Sequence, residues 1–224
     1  MLQIAAWRNR DRLGNALPPI RMKALSAALL LALTSALARI VRAQSCDASH
    51  YRWPAKTSTA LLRDAPRPTS VRTMLTWPAP PIRRGARFWC APRTTAEAQV
   101  LNIVGWVRRV DKTKDDGDWH IELTQERDDP VGSCIVAEIP PAELDAAFRG
   151  ARASLDSALR TVRVTRKGNL PDPIRLRFIG AAFFDGEHLR SSSRISPHGR
   201  CNASVSALWE IHPVYRIERL TVDR

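Results

Sequence analysis

Three short clusters in this chain set histidine beside a carboxylate: Asp118-Trp119-His120, Phe184-Asp185-Gly186-Glu187-His188 and Glu210-Ile211-His212-Pro213. Brought together, Asp118, His120, Asp185, His188, Glu210 and His212 would form a polar ligand site. A divalent-metal site could draw on Asp118, His120, Asp185, His188 and His212. Imidazole with carboxylate suits zinc, manganese or iron, whereas a carboxylate-only subset suits calcium. A metal-activated water could then hydrolyse a phosphodiester or similar bond. The same residues also have a purely structural use, in which each imidazole donates to a neighbouring carboxylate and pins a loop. No G-x-S-x-G motif is present, and all four cysteines are better used as disulfides. A serine or cysteine hydrolase is therefore disfavoured, and binding is favoured over catalysis.

Such clusters need a scaffold that closes in space. Residues 100–110 are apolar and β-branched, with Gly105 suggesting a bulge or sharp bend. Residues 119–124 alternate strictly, placing Trp119, Ile121 and Leu123 on one face and His120, Glu122 and Thr124 on the other. A third strand follows at 134–139, and Pro140-Pro141 breaks it. Residues 142–160 carry Leu144, Phe148, Ala151, Leu155 and Leu159 at helical spacing. Strand character resumes at 161–165 and 174–184, and a last strand at 206–221 alternates around Trp209 and Ile211. Three strands, a helix and two strands predict a mainly β protein built on an OB-like five-stranded barrel, with one helix between strands three and four. Apolar residues fill a barrel, so His120, Glu122, Glu210 and His212 should point outward or sit at the rim.

The ends bound the compartment. Arg21 and Lys23 precede an uncharged, Leu- and Ala-rich run over residues 24–38. That pattern reads as a secretory signal, with cleavage after Ala43 and Met22 an alternative start. The division is then an N-terminal extension and signal at 1–43, a Pro- and Arg-rich irregular arm at 44–97 with a short helix near 69–75, and the barrel domain at 98–224. The protein is expected in the periplasm or outside the cell, with no transmembrane segment in the mature chain. Cys46, Cys90, Cys134 and Cys201 all follow the leader, an even count that favours two disulfides in an oxidising compartment. Strands three and five neighbour each other in this topology, so Cys134 pairs with Cys201, both on strands, and Cys46 with Cys90.

Charge restrains the partner classes. The whole chain carries net +13, and removal of 1–43 leaves 28 basic against 21 acidic residues. Residues 44–99 and 151–224 are each +6, but 100–150 are −5. A nucleic-acid binder needs a coherent basic face, and the middle segment is acidic.

Asp116-Gly117-Asp118-Trp119-His120-Ile121-Glu122-Leu123, then Ile135-Val136-Ala137-Glu138-Ile139-Pro140, then Gly180-Ala181-Ala182-Phe183-Phe184-Asp185 with His188, and Glu210-Ile211-His212-Pro213-Val214 occur in this order. The chain resembles a group of uncharacterised exported bacterial proteins with an OB-fold-like barrel and the motifs D-x-H, AEIP, FFD-x-x-H and EIHPV, over roughly residues 98–220. The resemblance implies export and a barrel, and carries no activity with it. Cys134 and the Ser- and Arg-rich 189–200 segment depart from the pattern.

In an OB barrel the loops between strands one and two and between strands four and five flank the usual groove. Here they carry Asp115, Asp116 and Asp118, and Asp185, Glu187 and His188. The leading expectation is an exported binding protein for a small ligand, with a divalent metal as the candidate cofactor; a metal-dependent hydrolase is one alternative. Another is a module for single-stranded nucleic acid or a similar polymer, using Trp106, Trp119 and Trp209 for stacking and Arg108, Arg109, Arg175 and Arg177 for charge. Against it, Trp119 and Trp209 share the apolar faces of their strands. A third alternative is an envelope module whose arm touches anionic lipid or a partner.

Overall fold

A computed structural model describes residues 50–220. The expected signal segment and Cys46 lie outside the described residues. Five strands close into a barrel: β2 (Val100–Asp111), β3 (Trp119–Thr124), β4 (Cys134–Ile139), β5 (Asn169–Phe184) and β6 (Trp209–Arg219). Their order around the barrel is β2-β3-β4-β6-β5, and β5 returns to β2. The one long helix among the described residues, α3 (Ala146–Leu159), lies between the third and fourth barrel strands, as the sequence predicts. Two short helices, α1 (Trp53–Lys56) and α2 (Val71–Met74), precede the barrel, and a short strand β1 (Arg67–Thr69) pairs parallel with β2.

Neighbouring barrel strands pair antiparallel except at one seam. There β4 and β6 run parallel and share only Val136↔Glu210 and Ala137↔Ile211. Inward residues such as Ile103, Ile121, Leu123, Ile135, Phe178 and Ile211 fill the interior. Helix α3 adds Phe148, Ala151, Leu155 and Ala158 to that core, the spacing of a single apolar stripe.

Several local expectations are corrected. Residues 161–165 are a turn, a bend and irregular chain rather than a strand, and β5 instead starts at Asn169 and runs through Pro171 and Pro173. Both prolines precede the stretch where β6 pairs with β5, which begins at Leu176, so their missing N–H groups cost no bond on that side. The bulge in β2 falls between Val107 and Arg109, not at Gly105. Gly105 serves close approach, since a Cβ there would lie 3.3 Å from Thr124 O. Helix α3 starts at Ala146, later than residue 142, because the Asp145 side chain caps it by accepting from Ala147 N. Cys134 and Cys201 are bonded as expected, but Cys201 lies in the loop before β6 rather than on that strand. Cys90 is not a free thiol.

The arm is irregular in secondary structure yet firmly packed. Arg52, fully buried, holds Glu97 through two nitrogens at 2.8 and 2.9 Å and reaches Phe184 O at 3.2 Å. Its backbone sits in the left-handed region at φ 52°, a cost of roughly 1–2 kcal/mol that the bidentate pair offsets. Arg93 donates to Ala182 O, and at 2.6 Å to His212 O, so the arm is tied directly to β5 and β6.

Candidate functional site: a buried histidine–carboxylate cluster

The alternation that sends Ile121, Ala137 and Ile211 inward sends His120, Glu122, Glu138, Glu210 and His212 to the outer face of β3, β4 and β6. Register sets them side by side: His120 pairs with Glu138 and Val136 with Glu210. The orientation is as expected, but the setting is not an open rim. The loop after β5 and the arm roof this face, and His120, Glu122, Glu210, His212 and Asp118 are all fully buried.

Imidazoles and carboxylates alternate through the cluster. His120 donates from Nδ1 to Glu138 Oε1 at 2.8 Å. The other oxygen of Glu138 lies 3.1 Å from His212 Nδ1, which is 3.2 Å from Glu210 Oε2. His212 Nε2 is 3.2 Å from Asp118 Oδ2, and His198 Nε2 is 3.0 Å from Glu210 Oε1. His198 stacks on His188 at 4.4 Å between centroids, and His188 Nε2 lies 3.9 Å from Asp185 Oδ2. Lys56 of α1 closes the series at 3.4 Å from the same oxygen.

Burial alone would drive each of these groups neutral, and the neighbours decide otherwise. Burial lowers the His212 pKa, but Asp118, Glu138 and Glu210 hold it well above the ordinary imidazole range. His198 is raised despite its burial, chiefly by the Glu210 charge. Burial raises Glu138, but His120 and His212 bring it well below the usual carboxylate range. Asp118 is raised, because desolvation outweighs its one imidazole partner. His188 is lowered by burial and by the His198 charge.

Among the described residues, three imidazoles have a buried nitrogen outside any hydrogen bond; that of His212, Nε2, still lies 3.2 Å from Asp118 Oδ2, and the other two have no carboxylate so close. His120 Nε2 and His198 Nδ1 are buried without a hydrogen-bond partner among the described residues. His120 Nε2 has only Glu122 Oε1 nearby, at 3.9 Å. Gly199 packs over both atoms at φ 59°; a Cβ there would fall 2.6 Å from each, so any side chain would collide with them. Three groups offer ligand atoms within 4.8 Å of one another: His120/Glu138/His198, Asp185/His188/His198 and Asp118/Glu138/His212.

Asp118, His120, Glu210 and His212 thus meet as one cluster, and Asp185 with His188 joins it through His198. Asp115 and Asp116 stay outside, although Asp116 Oδ1 accepts from Asp118 N at 3.0 Å and turns Asp118 inward. The sequence reading placed Glu122 beside His120 without counting it among the site residues, and missed Glu138, His198 and Lys56. Glu138 was within reach, since it alternates with Ala137 and Ile139 on its strand. Of the proposed stacking residues, Trp209 is in the core with Nε1 bonded to Pro78 O at 3.1 Å. Trp119 lies under Lys112 and Arg152, at 4.2 and 4.7 Å from its ring centroid. Arg177 pairs with Glu218 at 3.1 Å. Comparison with protein-family models, curated proteins and solved structures finds no match, so the functional reading rests on the side chains themselves.

Proposed function

We propose that this is an exported OB-type barrel protein that binds a divalent metal of the zinc class through His120 Nε2 and His198 Nδ1, with Glu138 and Glu210 holding the other ring nitrogens. One observation carries the reading. Each of these imidazoles has one nitrogen on a carboxylate while the other is buried without a hydrogen-bond partner. Metal-ligating histidines are commonly oriented by a carboxylate at the second nitrogen in this way. The strand order and the helix between strands three and four support the OB-type assignment. The Cys134–Cys201 bond and the signal-like leader support export.

Enclosure favours a held ion over turnover. A hydrolase needs an open ligand position that substrate can reach, and within the three histidine–acid groups His188, 29% exposed, is the side chain that meets solvent. A second reading is a metal-free latch fastening loop and arm to the barrel. The contact of His212 with three carboxylates favours it.

Metal content and melting temperature of the purified protein, with and without chelator, separate the two. About one bound metal per chain and a chelator-induced fall in melting temperature are expected. Both should disappear in His120→Gln and in His198→Gln. Absence of metal, with a melting temperature unmoved by chelator or by added zinc, overturns the metal site and leaves the latch.

A further inference from the structure

A cleft of about 770 Å³ opens beside the buried cluster and is lined by Arg109, Lys112, Arg166, Lys167 and Arg200. Its one carboxylate, Asp111, is already engaged by Arg109 at 3.0 Å and by Thr113 N at 3.0 Å. The side chains of Arg166 and Lys167 make no ion pair among the described residues. Arg200 fixes its Nε on Glu122, yet its buried Nη2 has no hydrogen-bond partner there. Lys112 pairs with Asp156 and Arg109 with Glu122, so the donors left for an anion are those of Arg166, Lys167 and the free Nη2 of Arg200.

The tip that carries Arg166 and Lys167 is held in place before any ligand arrives. Thr165 N bonds Asn169 O at 2.9 Å, Gly168 N bonds Thr165 O at 2.9 Å, and Val110 N of β2 bonds Gly168 O at 2.9 Å. Gly168 has φ 78°, and a Cβ there would sit 2.0 Å from Val110 O, so only glycine lets the turn lie on β2. The cleft is not purely ionic: Leu159 and Val164 line it, and Val164 is 41% exposed. Charge on one side and aliphatic surface on the other fit an organic phosphate better than a bare ion.

We infer that this cleft binds a phosphate-bearing organic ligand, with the phosphate on Arg166, Lys167 and Arg200 and the carbon skeleton on Leu159 and Val164. The site stands apart from the metal reading, since none of these residues offers a metal ligand. Calorimetric titration of the purified protein with phenyl phosphate is the direct test, with flotation on phosphatidylcholine vesicles containing phosphatidylglycerol as a second arm. Saturable binding that weakens with added salt is expected. The double variant Arg166→Gln/Lys167→Gln, altered at exposed turn positions, should bind about tenfold more weakly or worse at an unchanged melting temperature. Binding of phenyl phosphate identifies a soluble organic phosphate as the source. Binding confined to the anionic vesicles and lost in the double variant identifies a lipid headgroup. Failure of both probes to bind, or equal binding by the double variant, overturns the proposal.

Discussion

The same three strands build two cores of opposite chemistry. Inside the barrel, Ile121, Ile135 and Ile211 are buried against other apolar side chains. On the outer face of those strands, His120, Glu138 and His212 are buried just as deeply but against charge. Apolar burial is non-directional and scales with area, so the interior tolerates small changes of shape. The ionic layer is conditional. Each charge costs several kcal/mol to dehydrate, and only its partners repay that cost. The contrast teaches that depth of burial says little about fragility, whereas the kind of partner says a great deal.

The largest expected effect comes from removing one shared partner. Glu138→Ala leaves His120 and His212 without their common carboxylate and should cost about 3–5 kcal/mol. Its strand neighbour on the other face, Ile139→Val, should cost about 1 kcal/mol. Urea unfolding of the two variants decides the matter, and equal losses would break the distinction between the two faces. A smaller effect is set by pH at the joint between arm and barrel. Burial would raise the Glu97 pKa, but Arg52 and the amides of Thr94 and Phe184 bring it below its ordinary 4.5. A depressed carboxylate contributes stability that is present above its unfolded pKa and lost as pH falls through the folded value. Melting temperature should therefore drop on acidification below about pH 4.5, and Glu97→Gln should start lower at neutral pH but fall less steeply. The smallest effect is expected where charge meets water. Asp172→Asn breaks the exposed pair with Arg127, 3.2 Å apart with side chains 51% and 83% exposed, and should change stability by no more than about 0.5 kcal/mol.

Much of the barrel was legible in advance. Strict alternation in β3 assigned Ile121 and Leu123 inward and His120 and Glu122 outward, and Trp209 and Ile211 fixed the same sense in β6. The roof was not legible. Nothing local marks Tyr51, Arg52 or Lys56 as buried, because their partners Phe183, Glu97 and Asp185 lie far along the chain. His198 was overlooked because it sits in a Ser- and Arg-rich loop without hydrophobic period, held by partners distant in sequence: the Cys134–Cys201 bond, the carboxylate Glu210 and the ring of His188. The segment between 165 and 174 misled in the other direction: it carries no strand pattern, yet β5 starts there and Asn169 already pairs with Arg109 of β2.

The narrow seam between β4 and β6 bears on how the barrel assembles. Its two pairs join positions 136 and 210, more than seventy residues apart along the backbone. The Cys134–Cys201 bond shortens that path, since the seam lies two residues beyond Cys134 and nine beyond Cys201. By loop-closure scaling, the shorter route lowers the entropy cost of bringing the seam together by about 1.5–2 kcal/mol. Oxidation thus turns this closure of the ring from a search over some seventy residues into a local encounter, and a reduced chain must find the same two rungs unaided.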